Sequence, residues 1–229
     1  MRNNIPIPSP IKTKKIKVRE PIDERCWAFM KELRERNATK RIYHDINPYA
    51  EVYRLRENLY GILTESLGGM GDVWTYLLIG LEKAMVIDTD YGVGDLKGLV
   101  NALTGKMPLV VVNTHAHGDH ASGNCQFERV YCHEYCVPTL EGMRNPHIWD
   151  YLFDENGKPI WLDFDRADII PFKKYEAVGV PDGYTFNLGG DYEVELIWVP
   201  GHSPGHAMYL DKKNRNLIAG DGIISMRMG

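Results

Sequence analysis

Residues 109–120 read LVVVNTHAHGDH, an apolar run that ends in three histidines and one aspartate within seven positions. A short β-branched run bounded by polar residues forms a buried strand. The C-terminal end of such a strand is where open α/β sheets place their sites. In a locally extended backbone His115 and His117 project to one side, and Gly118 lets the chain turn so that Asp119 and His120 face a second point. Two imidazoles plus a carboxylate–imidazole pair suit one or two divalent cations. With no thiolate in the group Zn²⁺ is favoured, and Fe²⁺ or Mn²⁺ is also compatible. A polar loop that happens to be rich in histidine would explain a lone His-x-His, but not the addition of Asp119 and His120.

The remainder of the chain reads as a sheet-rich α/β protein. The segment 21–37, with Pro21 at its start, acids early and Lys31, Arg34 and Arg36 late, is expected to be a helix. From residue 50 a period-2 alternation with a turn at Glu57 and Asn58 predicts a hairpin, and VWTYLLIG, KAMVIDT and PLVVVNT predict further strands. YGVGDLKGLVNALTGK (91–106) faintly resembles a dinucleotide loop, but its third glycine falls one position late. Asp95 as helix N-cap and Gly105 as stop explain the same letters. Helical pieces are expected over 138–158, and strands over YEAVGV, YTFNLGGDYEVELIWVP, HAMYLDKKNRNLIAG and the tail.

Composition excludes several classes. The 229 residues carry a net charge of −4, so the molecule has no overall footprint for nucleic acid. The five cations of IKTKKIKVR (11–19) have no helical period and read as a solvated arm. The N-terminus lacks the apolar stretch of a signal peptide, and no run approaches the ~18 apolar residues of a membrane span. Cys26, Cys125, Cys132 and Cys136 are too few and too unevenly spread for a disulfide framework. A cytoplasmic protein with no membrane partner is the expectation.

Two later segments repeat the pattern of the first. WVPGHSPGH (198–206) and the GDG that follows NLIA each bring His or Asp to the end of a strand. HAHGDH, the PGHSPGH turn and AGD, in that order, resemble the metallo-β-lactamase-fold hydrolase superfamily. The resemblance implies an α/β fold, an αββα sandwich, over 46–229, with 1–45 as a basic arm and helix. It implies that His115, His117 and His202 bind one metal, that Asp119 and His120 bind a second, and that Asp221 bridges the two. Asp88 would anchor the ligand loop from behind, and His206 would stand behind the ligands or simply pack there. Two departures stand out. Asp90 occupies a position where the family generally has glycine, and only eight residues follow Asp221, with no histidine among them. Either the chain is a fragment or water completes the second ion's shell, so one or two zinc ions are expected. A missing C-terminal strand and helices would leave a sheet edge and face that a second copy could cover, compatible with a homo-oligomer.

The chemistry expected is hydrolysis, because zinc lowers the pKa of bound water from 15.7 to about 7. Asp119 would orient the water or carry its proton. GHSPG (201–205) also fits a serine nucleophile elbow, but the residue after Ser203 is Pro204, which has no N–H for an oxyanion hole. The substrate expected is a small ester, thioester, lactone or related acyl compound. A mononuclear-iron oxidoreductase of the same fold, or a non-catalytic metal-binding fragment completed by another chain, are the alternatives. Met70, Trp74 and His133, with Trp149 and Tyr151, are candidate pocket walls.

Overall fold

The computed structural model describes residues 33–67 and 71–223. Its first sheet has eight strands in chain order: β1 (Arg41–Tyr43), β2 (Asn47–Arg54), β3 (Leu59–Thr64), β4 (Val73–Ile79), β5 (Ala84–Ile87), β6 (Leu109–Val112), β7 (Arg129–His133) and β8 (Glu176–Val180). Strands β1 to β5 pair antiparallel, and β5 to β8 run parallel. The second sheet is an antiparallel meander, β9 (Thr185–Asn187), β10 (Glu193–Trp198), β11 (Ala207–Asp211) and β12 (Asn216–Ile218). Among the described residues no helix is long and apolar enough to cross a membrane.

Both faces of the central strands are covered, which is why β5 and β6 read as continuous apolar runs rather than alternating ones. Ala84, Val86 and Val111 face one core, shared with α1 (Leu96–Thr104); Met85, Ile87 and Val112 face a second core, shared with Leu188, Val194, Leu196 and Tyr209 of the meander. Helix α1 forms as its letters predict. The Asp95 carboxylate accepts from the Gly98 N–H at 2.7 Å, Leu96, Leu99, Val100 and Leu103 line its buried face, and Gly105 closes it at φ +69°.

The first sheet begins at β1, before residue 46, and residues 33–36 are helical; the basic arm and most of the segment 21–37 lie outside the described residues. Over 138–158 the helical pieces are α3 (Val137–Gly142) and a 3-10 turn at Asp150–Leu152. Asp221 falls just after β12, as the sequence pattern predicts, in a single 3-10 turn at Gly220–Gly222.

Candidate metal centre

Four strand ends converge, and hydrogen bonds between the sheets fix how. Asp88, just past β5, stands at φ +64° and accepts three bonds: from the Thr114 N–H at 2.7 Å, the Thr114 hydroxyl at 2.7 Å, and His120 Nδ1 at 2.9 Å. The Ala207 N–H at the start of β11 donates to the Thr114 carbonyl at 2.8 Å, and the Tyr209 hydroxyl donates to the Asn113 carbonyl at 2.9 Å. The meander is thereby locked to the loop after β6. A buried amide network, Asn124 to Asn113 and Asn113 to the His120 carbonyl, holds the short helix α2 (Gly118–Ala121) in place. Gly220, at φ +50°, passes so close to Thr114 that a Cβ would lie 2.5 Å from its hydroxyl, and this approach delivers Asp221.

One nitrogen or oxygen from each of His115, His117, His202 and Asp221 lies within 4.8 Å of every other. His202 Nε2 is 3.0 Å from His117 Nδ1 and 3.4 Å from Asp221 Oδ2, and His115 Nε2 is 3.9 Å from the same oxygen. The other oxygen of Asp221 turns the opposite way, 3.2 Å from His120 Nε2, which in turn lies 3.7 Å from Asp119 Oδ2. The six side chains therefore form two donor groups that share Asp221.

These donors suit a divalent cation. His115 is wholly buried, and its Nε2 has no hydrogen-bond partner. A buried polar atom left in that condition costs about 1–3 kcal/mol, whereas as a lone pair toward a cation it is satisfied. Burial first, and the charge of His120 second, push the His115 pKa down to about 2, so the ring is neutral, as a ligand must be. Burial also lowers His117. Burial pulls on His120 too, but Asp88 and Asp221 outweigh it and raise that ring to about 10. Asp221 is depressed to about 2: burial acts to raise it, and His120, His115 and His202 overcome that. The neutral rings of His115 and His117 face Asp221 with lone pairs to offer, whereas His120 carries a proton that a cation would have to displace before that ring could bind it.

Asp88 controls both groups, since it fixes Thr114 beside His115 and orients His120. Asp88→Asn keeps a residue that tolerates φ > 0 but cannot accept from all three donors. It is expected to weaken divalent-metal binding about 10- to 100-fold, read by competition with a chromophoric chelator; affinity within twofold of the unmodified chain would refute this role.

Asp90 is buried as well, at φ +50°, so an aspartate does fill a left-handed position here. It accepts from the Gly92 N–H at 2.6 Å and the Thr64 hydroxyl at 3.3 Å, and burial pushes its carboxyl up to about 7. Between pH 4 and 7 the folded chain therefore holds a proton that the unfolded chain has lost, so this group's contribution to stability falls as pH rises through that window. Asp90→Asn should remove the fall, which a window of about three pH units at about 1.4 kcal/mol each puts at about 4 kcal/mol, and be more stable than the unmodified chain at pH 8. Urea unfolding at pH 5 and pH 8 checks this; equal pH slopes for the two proteins would contradict it.

The other candidates spend their side chains elsewhere. Trp74 packs on Tyr53 and stacks on Tyr76 at 6.1 Å. His133 lies parallel to Trp198 at 5.0 Å with Tyr135 on its edge. Met70 lies outside the described residues. His206 is fully buried with neither ring nitrogen hydrogen-bonded, and its ring sits 5.3 Å from His115 and 5.9 Å from His202, so it packs behind them. Cys125, Cys132 and Cys136 are buried free thiols, and Cys136 donates to the Gly205 carbonyl at 3.1 Å, bracing the loop that carries His202. Gly118 is not in a left-handed conformation; its missing side chain answers to space, because a Cβ there would sit 2.9 Å from the Tyr151 hydroxyl. Thr114 carries no signal in sequence beyond standing directly before the histidines.

A two-sheet fold with histidine and aspartate donors gathered at its strand ends defines a class. Residues 68–227 match the metallo-beta-lactamase superfamily, and the chain belongs to it. Among curated proteins it is similar to acyl-coenzyme A thioesterase MBLAC2 of Homo sapiens, 31% identical over 170 residues, covering 67% of this chain and 58% of that one. It is also similar to the hydroxyacylglutathione hydrolase of Francisella tularensis subsp. novicida, 27% identical over 160 residues, 68% of this chain and 49% of the relative. The chain thus spans 58% of the length of human MBLAC2. Among solved structures, a metallo-beta-lactamase family protein from Thermus thermophilus superposes with a TM-score of 0.51 at 22% identity, over 75% of this chain and 62% of that one. A metallo-beta-lactamase from Pontibacter korlensis gives a TM-score of 0.53 at 18% identity, over 78% and 74%. Both likenesses concern the fold.

Proposed function

We propose that this protein is a metal-dependent hydrolase of acyl thioesters, with coenzyme A thioesters as the first substrates to try and zinc as the ion. The observation that carries the reading is the buried, unpartnered Nε2 of His115 aimed among His117, His202 and Asp221. The thioester class is supported by two relatives whose names denote thioester hydrolases, MBLAC2 and hydroxyacylglutathione hydrolase. A cation bound there would acidify water near neutral pH and draw charge from the acyl oxygen. His115, His117, His202 and Asp221 would hold the first ion; Asp119 and His120, sharing Asp221, would hold a second. Asp119, about a third exposed and with its Oδ2 3.7 Å from His120 Nε2, would orient the attacking water or carry its proton. No nucleophilic side chain is needed, so Ser203 stays out of the chemistry, its buried hydroxyl without a hydrogen-bond partner.

Elemental analysis of protein purified without added metal, followed by thiol release from a panel of coenzyme A thioesters, tests the reading. Zinc bound to the chain, with activity removed by a chelator and restored by zinc, is the expected result. Iron with oxygen uptake, or a zinc-loaded chain that releases no thiol, would overturn it.

A further inference from the structure

The segment between β7 and β8 brings one side chain to the donor cluster that belongs neither to the ligand set nor to the core. Tyr151 sits in the Asp150–Leu152 turn, and that turn is clamped on both sides. Trp149 is buried and donates its indole N–H to the Tyr91 carbonyl at 3.0 Å, and Leu152 is fully buried. Between them Tyr151 stays 41% exposed, with its phenol laid on the backbone of Gly118. Gly118 stands between His117 and Asp119, so the phenol oxygen lies over the link between the two donor groups.

Beside that oxygen the buried Ser122 hydroxyl is a neighbouring donor, and it faces the phenol itself, leaving the phenol proton free to point outward. Asp119 and Asp221 are acceptors, and imidazole nitrogens turned toward an ion have no proton to give. The nearby Tyr91 hydroxyl is committed to the Gly71 carbonyl at 2.8 Å. An acyl group entering the site brings a carbonyl oxygen that accepts a hydrogen bond and gains negative charge when the carbon is attacked. We propose that Tyr151 is the substrate-positioning donor of this site, its hydroxyl hydrogen-bonding the carbonyl oxygen of an acyl substrate docked against the exposed side of the phenol. The proposal rests on the acyl-hydrolase reading above. Burial, with the charges of Asp119 and Asp90, pushes the phenol up to about 12 although Ser122 acts the other way, so the hydroxyl keeps its proton at neutral pH. The role is independent of metal binding, because Tyr151 lies outside the two donor groups.

Tyr151→Phe keeps the ring against Gly118 and removes only the donor. In the zinc-loaded full chain it is expected to lower kcat for a coenzyme A thioester about 10- to 100-fold, with zinc stoichiometry and Tm unchanged. It should also bind more weakly, by about fivefold, an acyl-amide analogue that has the same carbonyl but resists cleavage, read by calorimetry. Unchanged kcat and analogue affinity would overturn the proposal, as would loss of zinc or a lowered Tm accounting for the whole effect. If the unmodified chain cleaves no thioester, the proposed reaction fails, and analogue binding alone then decides Tyr151: equal affinity for the two proteins removes it from the site.

Discussion

On the proposed zinc-dependent thioesterase reading, replacing His115 by alanine is expected to abolish stabilisation by zinc and to reduce thioester hydrolysis at least about a thousandfold, because without the ion the fraction of water ionised at neutral pH is negligible. The size of the effect follows from where the ring sits. His117 and His202 reach solvent, whereas His115 is wholly buried between the ligand loop and His206, so no water can take over its Nε2 without opening the core. Thermal unfolding with and without saturating zinc separates loss of metal from loss of fold. At a hundredfold excess over Kd the unmodified chain should gain about 2.7 kcal/mol, and His115→Ala should gain nothing. A variant that still gains stability from zinc would mean that the other donors suffice and that the four-ligand description is wrong.

Glu51→Ala is expected to destabilise the fold by about 3–5 kcal/mol, a large share of the ~5–15 kcal/mol typical of a domain. Glu51 lies on β2 and is wholly buried. Its carboxylate receives Arg34 Nε at 3.0 Å, Arg34 Nη2 at 3.2 Å and Lys40 Nζ at 3.2 Å, and the Tyr53 hydroxyl donates to it as well. Arg34 is itself only 6% exposed, and among the described residues Glu65, at 2.8 Å, is the carboxylate hydrogen-bonded to it once Glu51 is gone. The cost comes mainly from a guanidinium left buried with half its compensation, rather than from the strength of the original pair. A double variant, Arg34→Met with Glu51→Leu, should recover most of the loss. Urea midpoints for the three proteins check both statements; a single-variant loss under 1 kcal/mol would show that water reaches Arg34 freely.

Stability and site are linked through the same strand ends. Asp88 and Asp90 both adopt left-handed conformations immediately after β5, where each side chain accepts hydrogen bonds that a glycine could not supply. Asp90, in a position the family resemblance assigns to glycine, therefore trades conformational ease for two buried hydrogen bonds and a carboxyl whose charge opposes folding at neutral pH.

What the letters settled was local. Apolar runs of the right length gave β4, β5 and β6, an Asp95 cap with a Gly105 stop gave α1, and the order of HAHGDH, GHSPGH and AGD singled out the side chains that the fold brings together. Each of these is a property of neighbours in the chain, where period, capping and turn chemistry act. Tertiary packing decided the rest. Asp221 meets both His202 and His120 because Gly220 crosses Thr114 and the meander is bolted to residues 113 and 114. Tyr151, 33 positions later in the chain, comes to lie against Gly118, and Arg34 joins the domain because Glu51 is buried beneath it. Such contacts join residues distant in sequence, and only the closing of two sheets on one another fixes the distances between them.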